Sequence, residues 1–382
     1  WPITPLYPAL SMIQRAIISG GGTGGHIFPA ISIAEALQRR YPQIDILFIG
    51  AEGRMEMQRV PQAGFRIKGL HIRGLDRKRI WRNVGVLKDF LRALVAARDI
   101  IREFQPEVVI GVGGYARAPT LKAAQSLGIP TLIQEQNVVP GVTNKILAKF
   151  VTRIAVGMEE ALAHFPREKT VFTGNPIRSE VMTANREKAF EKFGFDSARR
   201  MVLVSGGSRG ARSIDRAMVG VLKQAQEYPQ VQYLLVTGKG EYEDVMRRLR
   251  EAGVDLERFP HLRVEPYLYD MPEALAMADL AIFRAGATGL AELTARGVPA
   301  ILVPYPFAAE NHQEHNARAL EKAGAARVIL NRDLTAETLA ALLGELLKEE
   351  DVLRRMAQSS RSLGRPQAAD DIADMVLGLA KR

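Results

Sequence analysis

Two glycine-rich turns in this chain could bind a phosphorylated ligand. The first, GGGTGGHIFPA at residues 20–30, includes His26, and the second, GGSRGA at residues 206–211, includes Ser208. Glycine lets the backbone approach a ligand closely and adopt positive φ. The free N–H groups at the start of a following helix then attract an anion. Each turn therefore predicts a binding site for a diphosphate or a sugar; the alternative is a tight strand–helix turn that binds no ligand.

Composition narrows the kind of protein that carries these turns. The chain has 382 residues, which is long enough for two domains. It has no cysteine, which excludes a disulfide scaffold, a thiolate metal site and a cysteine nucleophile. Its formal net charge of +10 favours anionic partners. No apolar run reaches the length of a membrane-spanning helix. Residues 1–11 do not have the pattern of a signal peptide. We expect these residues to be an extension before Met12, native or artificial.

The elements that position the turns follow one order twice. An apolar run at 15–18, the first glycine turn, a helical pattern and a second apolar run at 44–50 form a βαβ unit. The same order recurs at 200–222 and 231–238, where a strand, the second glycine turn, a helix and another strand follow one another. Such units predict parallel sheets in an α/β protein.

A second pair of segments strengthens the repeat. Residues 106–137 and 278–306 each read as a strand, a glycine loop, a helix, a Gly-x-Pro stop and a further strand. We therefore predict two Rossmann-like parallel-sheet domains that face a central cleft, at 12–176 and 177–361. Residues 362–382 should form a helix that packs back on the N-terminal domain.

A dinucleotide site is the main alternative for the first turn. Residues 20–25 satisfy the pattern G-x-G-x-x-G, and Glu52 follows the next strand as a possible ribose ligand. Against this, a second phosphate-type turn lies in a separate domain, whereas hydride transfer needs one dinucleotide site. Neither turn has the P-loop pattern. Two facing sites instead favour transfer of a group from a nucleotide-activated donor.

Seven motifs in order resemble the MurG family of glycosyltransferases. They are GGGTGGHIFPA, GVGGYARAP, QEQNVVPGVTNK, GNPIR, GGSRGA, RAGATGLAEL and HQEHNA. The resemblance runs from about residue 13 to the C-terminus and implies a GT-B fold and an inverting reaction without a metal or other cofactor. In it, GlcNAc passes from UDP-GlcNAc to the muramyl 4-hydroxyl of lipid I, giving lipid II and UDP. This would occur on the cytoplasmic face of the cell inner membrane during peptidoglycan synthesis, with other cell-wall or division proteins as further candidate partners.

The resemblance also implies the donor contacts. Glu292 would bind the ribose hydroxyls of UDP, although a first-turn glutamate that stabilises the helix dipole is the alternative. Arg178 and Gln313 match donor contacts, and Leu268 matches the position that flanks the uracil. Ser208 would add a hydroxyl to the diphosphate site. The helix start would line the same pocket through Ala287, Thr288, Gly289, Leu290 and Ala291.

Acceptor binding and proton transfer are expected in the first domain, where Thr23, Gly24 and Gly25 precede His26. His26 would deprotonate the attacking 4-hydroxyl, contact the lipid-linked diphosphate, or serve a structural role. Glu135 is a second candidate base, with a strand-end carboxylate in a hydrogen-bond network as the alternative. Asn137 would contact the sugar or the acceptor, unless it only forms a turn.

A basic amphipathic segment at residues 71–104 predicts contact with an anionic membrane surface. Its apolar positions at near-helical spacing are Ile80, Trp81, Val84, Leu87, Leu91 and Leu94. The alternative is an ordinary helix whose apolar side is core. No nucleic-acid partner is expected, because the basic residues lack interleaved aromatics.

Two other functions stay open at this point. One is a different GT-B UDP-sugar transferase with another lipid or small-molecule acceptor. The other is a non-catalytic or NAD-binding Rossmann protein. The QEQN and HQEHNA segments favour the transfer of GlcNAc to lipid I. A titration with UDP and NAD would separate this transferase from a non-catalytic or NAD-binding Rossmann protein.

Overall fold

The computed structural model of the chain describes residues 13–74, 83–207 and 211–380. The chain forms two compact units. The first comprises the residues up to Gln136, Pro140–Pro176 and the residues from Gln367 onward. The second comprises Asn137–Val139 and Ile177–Pro366.

The first unit is built on a parallel sheet of seven strands. Its strands are β1 Arg15–Ser19, β2 Asp45–Ala51, β3 Arg66–Leu70, β4 Val108–Gly111, β5 Thr131–Glu135, β6 Arg153–Val156 and β7 Thr170–Phe172. They lie in the order β3-β2-β1-β4-β5-β6-β7, and every pairing is parallel. The chain thus winds outward from β1 in both directions, which is the doubly wound order of nucleotide-binding sheets.

Helices cover both faces of this sheet. They are α1 Gly24–Arg40, α2 Glu56–Gln62, α3 Asn83–Phe104, α4 Arg117–Ser126, α5 Val142–Leu147 and α15 Ala368–Ala380, with 3-10 turns at Glu159–His164 and Arg167–Lys169. Because both faces are covered, central strands such as β2 and β4 are nearly continuous apolar runs, whereas the edge strand β3 alternates. In β1, Ile18 faces the core formed with α1 and α15, whereas Ile17 faces the core formed with α3 and α4.

The last helix, α15, packs against α1 at the start of the chain. Ile372, Ala373 and Val376 are fully buried in the same core as Ile33 and Leu37 of α1. Arg40 adds an ion pair with Asp374 of α15. The helix predicted near the C-terminus is therefore part of the first unit, and it begins at Ala368.

The second unit repeats the design with six parallel strands. They are β8 Arg200–Ser205, β9 Val231–Val236, β10 Leu262–Glu265, β11 Leu280–Phe283, β12 Ala300–Leu302 and β13 Ala326–Val328. Their order is β10-β9-β8-β11-β12-β13. Its helices are α6 Ser179–Thr183, α7 Arg186–Phe193, α8 Arg212–Ala225, α9 Tyr242–Glu251, α10 Met271–Met277, α11 Ala287–Arg296, α12 His312–Lys322, α13 Ala336–Lys348 and α14 Glu350–Leu363, with 3-10 turns at Ala309–Asn311 and Asn331–Asp333.

These two sheets confirm the predicted α/β class with two Rossmann-like domains. The strands at 15–19, 45–51, 200–205 and 231–236 lie where the apolar runs predicted them. In such sheets, ligands bind beyond the carboxyl ends of the strands, and both glycine turns follow the carboxyl end of a central strand, β1 or β8. Within the described ranges, no helix is long and apolar enough to cross a membrane.

Candidate active site

The first glycine turn has no room for a side chain at Gly21. Gly22 has a φ of +86°, in the left-handed region. A Cβ atom at Gly21 would lie 2.2 Å from Cδ of Glu56, and one at Gly114 would lie 2.8 Å from the Gly21 carbonyl oxygen. Thr23 is extended, with a φ of −135°, and precedes the first residue of α1. The glycines thus allow two loops and a carboxylate to meet at the end of β1.

The carboxylate of Glu56 supports this turn from within the fold. It is 1 % exposed. Its Oε2 accepts a hydrogen bond from the Gly22 N–H at 2.9 Å, and its Oε1 accepts one from the Ala51 N–H at 3.0 Å. By contrast, Glu52, the ribose ligand of the dinucleotide alternative, is exposed and lies 3.6 Å from His71. The sequence alone does not single out Glu56, because both glutamates follow the same strand, β2.

The ring of His26 is oriented by the turn that precedes it. Its Nδ1 lies 3.2 Å from the Gly21 carbonyl oxygen and 3.5 Å from Oγ1 of Thr23. A carbonyl oxygen only accepts, so this bond requires the proton on Nδ1. The neutral ring then has its lone pair on Nε2, which is the form a general base needs. The ring also packs against Gly113, where a Cβ atom would lie 2.3 Å from Cγ of His26.

Glu135 lies at the carboxyl end of β5 and is 3 % exposed. Its Oε1 accepts hydrogen bonds from the Gly141 N–H at 3.2 Å and from Nδ2 of Asn144 at 3.3 Å. Burial lowers the pKa of the neighbouring Arg117, and the negative charge of Glu135 partly offsets that effect. This environment favours the network role over that of a base for Glu135.

In the second unit, Arg178 and Glu292 form a bidentate ion pair. Nε and Nη2 of Arg178 donate to the two carboxylate oxygens of Glu292, both at 2.9 Å. Burial acts against the charge of Arg178, but the hydrogen bonds and charge of Glu292 outweigh it and raise the pKa of Arg178. Glu292 is the sixth residue of α11, beyond its first turn, so the first-turn helix-dipole alternative for it is wrong.

The residues at the start of α11 differ in exposure. Gly286 is extended before the helix, and Ala287 begins it. Thr288, Gly289 and Ala291 are half-buried, whereas Ala287 and Leu290 are buried, Leu290 at 2 % exposure. The Leu290 side chain therefore belongs to the core, and only its backbone is available to line a pocket.

Gln313 holds two loop backbones together at the carboxyl edge of the sheet. Its Oε1 accepts hydrogen bonds from the Ala285 N–H at 3.1 Å and the Tyr305 N–H at 2.9 Å. Its neighbour on α12, Asn316, is fully buried and donates through Nδ2 to the Ala285 carbonyl oxygen at 3.2 Å and to Oδ1 of Asn137 at 2.9 Å. The predicted residues Gln313 and Asn137 are thus linked to the loop that precedes α11.

Leu268 is half-buried beyond the carboxyl end of β10. It lies between Tyr267 and Tyr269, whose rings are in edge contact at 4.7 Å. Tyr267 is among the groups that act on the pKa of Arg178, so Leu268 belongs to the same region of the unit. Ser208 lies outside the described residues.

Asp215 is a further buried group near the second glycine turn. It is the fourth residue of α8 and is 1 % exposed, and neither carboxyl oxygen has a hydrogen-bond partner among the described residues. Burial, followed by the charge of Glu241, raises the pKa of Asp215 to about 8, while Arg284 acts in the opposite direction. Asp215 is therefore largely protonated at neutral pH. The sequence does not predict this buried, protonated carboxyl group, because a single acidic residue near the start of a helix is common.

Comparisons with known proteins agree with this layout. The model of the glycosyltransferase family 28 N-terminal domain matches residues 16–156, and that of the family 28 C-terminal domain matches residues 201–372. A relative in Desulfitobacterium hafniense (strain Y51) is 47 % identical over 368 residues, covering 96 % of this chain and 100 % of its own. One in Desulforamulus reducens is 45 % identical over 364 residues, covering 95 % and 98 %.

Both relatives are named UDP-N-acetylglucosamine--N-acetylmuramyl-(pentapeptide) pyrophosphoryl-undecaprenol N-acetylglucosamine transferase. Among solved structures, the crystal structure of Acinetobacter baumannii MurG matches with a TM-score of 0.77 at 27 % identity, covering 95 % of this chain and 99 % of that one. Both domain models match in order and the relatives are similar over nearly the whole chain. The chain therefore belongs to glycosyltransferase family 28.

Proposed function

We propose that this protein transfers GlcNAc from UDP-GlcNAc to the muramyl 4-hydroxyl of lipid I, with lipid II and UDP as products. Its full-length similarity to relatives named for this transfer supports the choice of donor and acceptor. The observation that carries the chemistry is the orientation of His26, whose Nδ1 is held by the Gly21 carbonyl oxygen. In the neutral ring this puts the lone pair on Nε2, the atom that would accept the proton.

The reaction needs one proton transfer and one displacement. Nε2 of His26 accepts the proton of the 4-hydroxyl while that oxygen attacks the anomeric carbon of GlcNAc. The bond between that carbon and the β-phosphate oxygen breaks, and UDP leaves from the opposite face, so the configuration inverts. The other role for His26, contact with the lipid-linked diphosphate, would use the same position beside Gly24 and Gly25.

The donor is proposed to bind at the carboxyl edge of the second sheet. Glu292 has lone pairs beyond the two used by Arg178, and these can accept the ribose hydroxyls of UDP. Leu268 would flank the uracil. The second glycine turn with Ser208, and the N-terminus of α11, would offer N–H and hydroxyl groups to the diphosphate as it gains charge. Gln313 and Asn137 would complete the site from the loops that they hold.

The test is release of UDP from UDP-GlcNAc, measured with and without a lipid I analogue. Acceptor-dependent release is expected from the wild type. His26→Ala should lose at least about 100-fold in turnover, while UDP still raises its melting temperature as in the wild type and NAD does not. His164→Ala, a histidine in a 3-10 turn of the same unit, is the matched control. Wild-type turnover in His26→Ala would contradict the catalytic role, and release that ignores the analogue would contradict the acceptor.

Peripheral attachment to an anionic membrane, at its cytoplasmic face, is part of this proposal. The outer face of α3 exposes Val84, Leu87, Leu91 and Val95 at 80, 65, 53 and 62 %. Their spacing of three and four residues puts them on one stripe, with Lys88 and Arg92 exposed beside it.

The opposite face of α3 is buried through smaller residues. Ala93, Ala97 and Ile101 pack against the sheet, and Leu94 is half-buried. The core alternative is therefore wrong for Val84, Leu87 and Leu91. Ile80 and Trp81 lie outside the described residues. An exposed apolar stripe flanked by basic residues suits the interface of an anionic bilayer.

Flotation with phosphatidylglycerol vesicles tests this surface. The wild type should float at low salt, and Leu87→Ser combined with Leu91→Ser should float several-fold less because two exposed apolar side chains are removed. Tyr228→Ser, which removes an exposed aromatic from the second unit, is the control. Equal flotation of the double variant and the wild type would place membrane contact elsewhere.

A further inference from the structure

A cavity of about 360 Å³ lies at the amino-terminal edge of the second sheet. Its wall includes Arg200, the first residue of β8, Asp279 immediately before β11, and Pro299 immediately before β12. These strands are parallel, so the second glycine turn, which follows β8, lies at the opposite edge. The cavity is therefore distinct from the donor site proposed above.

Five arginines line this cavity. They are Arg186, Arg200, Arg296, Arg354 and Arg361. The acidic residues in the wall are Asp279 and Glu350, so five positive and two negative charges leave an excess of three positive charges. A cavity with this balance attracts an anion.

Two of the arginines are fixed by the ends of helices. Nη1 of Arg186 donates to the Met277 carbonyl oxygen at 3.0 Å, and its Nη2 pairs with Asp279 at 2.9 Å. Nη1 of Arg296 donates to the Ala184 carbonyl oxygen at 3.1 Å. Burial lowers the pKa of Arg296, and the positive charges of Arg186 and Arg361 lower it further. Three like charges are thus held close together by the fold.

Of the remaining arginines, Arg354 pairs with Asp351, whereas Arg200 and Arg361 are less engaged. Arg200 lies 3.9 Å from Glu350, whose side chain is 81 % exposed. Arg361 forms no ion pair with any described residue, and it lies over Gly297, where a Cβ atom would be 3.0 Å from its Nε. Gly297 has a φ of +67°, and its lack of a side chain makes room for this guanidinium. Arg361 and Arg200 therefore keep donors available for a ligand.

We propose that this cavity binds a small phosphorylated molecule, at a site separate from that of the UDP-sugar. The planar guanidinium fork matches two phosphate oxygens at once, which makes clustered arginines suited to phosphate. A volume of about 360 Å³ lies at the small end of ligand pockets and suits a diphosphate or a nucleoside monophosphate. The same phosphate chemistry is present in a soluble metabolite and in a lipid headgroup.

Calorimetry at low salt tests the site in the full-length protein, with saturating UDP present to occupy the donor site. Inorganic pyrophosphate is the soluble probe, and vesicles with and without phosphatidic acid are the lipid probe. Arg361→Gln should weaken binding of the probe by at least 10-fold. Arg355→Gln, which makes the same charge change on α14 but outside the cavity wall, should bind as the wild type does. Arg200→Gln, from β8, provides a second variant in case Arg361→Gln does not fold.

The outcomes distinguish a soluble ligand from a lipid headgroup, and they distinguish failure of this site from failure of the proposed transferase function. Pyrophosphate binding that Arg361→Gln weakens supports a soluble ligand, and a loss confined to phosphatidic acid vesicles supports a lipid headgroup. Equal binding by the Arg361→Gln, Arg200→Gln and wild-type proteins, or no binding of either probe, would overturn the site. Transfer to a lipid I analogue should remain at the wild-type level in Arg361→Gln, so failure here leaves the proposed function intact.

Discussion

Replacing Asp215 with asparagine should stabilise the second unit, and more so as the pH rises. The pKa of Asp215 is about 8 in the folded protein, against 3.8 for an ordinary aspartate. Between these values the folded state keeps the proton that the unfolded state has lost. The folded state therefore binds more protons, and stability falls as the pH rises through this window. Asparagine is neutral and of the same shape, so the free energy of unfolding of the Asp215→Asn protein lacks this dependence on pH.

The size of the effect follows from the pKa difference. One pKa unit corresponds to about 1.4 kcal/mol, so the cost of Asp215 should grow by about 3 kcal/mol between pH 5 and pH 7. Both the protonated acid and the asparagine amide leave a buried polar group without a partner among the described residues, so that cost is shared and cancels. The Asp215→Asn protein should thus gain about 3 kcal/mol relative to the wild type over these two pH units.

Hydrogen exchange of β8 and α8, followed by mass spectrometry at both pH values, measures this difference. Tryptophan fluorescence would not serve, because the sequence of the second unit contains no tryptophan. Asp333→Asn, at an exposed carboxylate of the same unit, is the control and should show no such change. A difference between Asp215→Asn and wild type that is the same at pH 5 and pH 7 would refute the reasoning.

Three further substitutions probe the two sites. Glu56→Gln should destabilise the first unit by about 2 kcal/mol, since an amide accepts only one of the two backbone hydrogen bonds; equal urea midpoints would contradict this. Gly113→Ala should reduce turnover at least about 10-fold with UDP affinity unchanged, because its Cβ would displace His26; unchanged turnover would show that the ring tolerates the shift. Glu292→Gln should weaken UDP binding by roughly 10-fold or more through loss of the charge paired with Arg178, and calorimetry showing wild-type affinity would exclude Glu292 from the donor site.

The fold could be predicted from local signals, whereas the partners of the site residues could not. Runs such as 201–204 are fully apolar, and glycine or Gly-x-Pro stops follow several of them, so these strands are encoded within a few residues. Arg178 and Glu292 are 114 residues apart, and no local pattern joins them. The choice between Glu52 and Glu56 depends on how α2 leaves its strand, which the sequence does not specify.

The amphipathic helix illustrates a second limit. Positions 84, 87 and 91 have the spacing of a buried stripe, and leucine and valine usually belong to the core. In the structure the small residues of α3, such as Ala93 and Ala97, face the sheet instead, because the helix packs closely there. Periodicity identifies the two faces of a helix, but the space left by its neighbours decides which face is buried.

The position of α15 has a consequence for the order of folding during synthesis. The first core contains Ile372 and Val376 beside Ile33 and Leu37, yet the ribosome makes the whole second unit before it makes this helix. The second unit is nearly continuous in sequence and can close its core first. Until then the nascent first unit presents an uncovered apolar face on α1, so we expect it to depend on chaperones for longer than a domain whose core is complete when it leaves the exit tunnel.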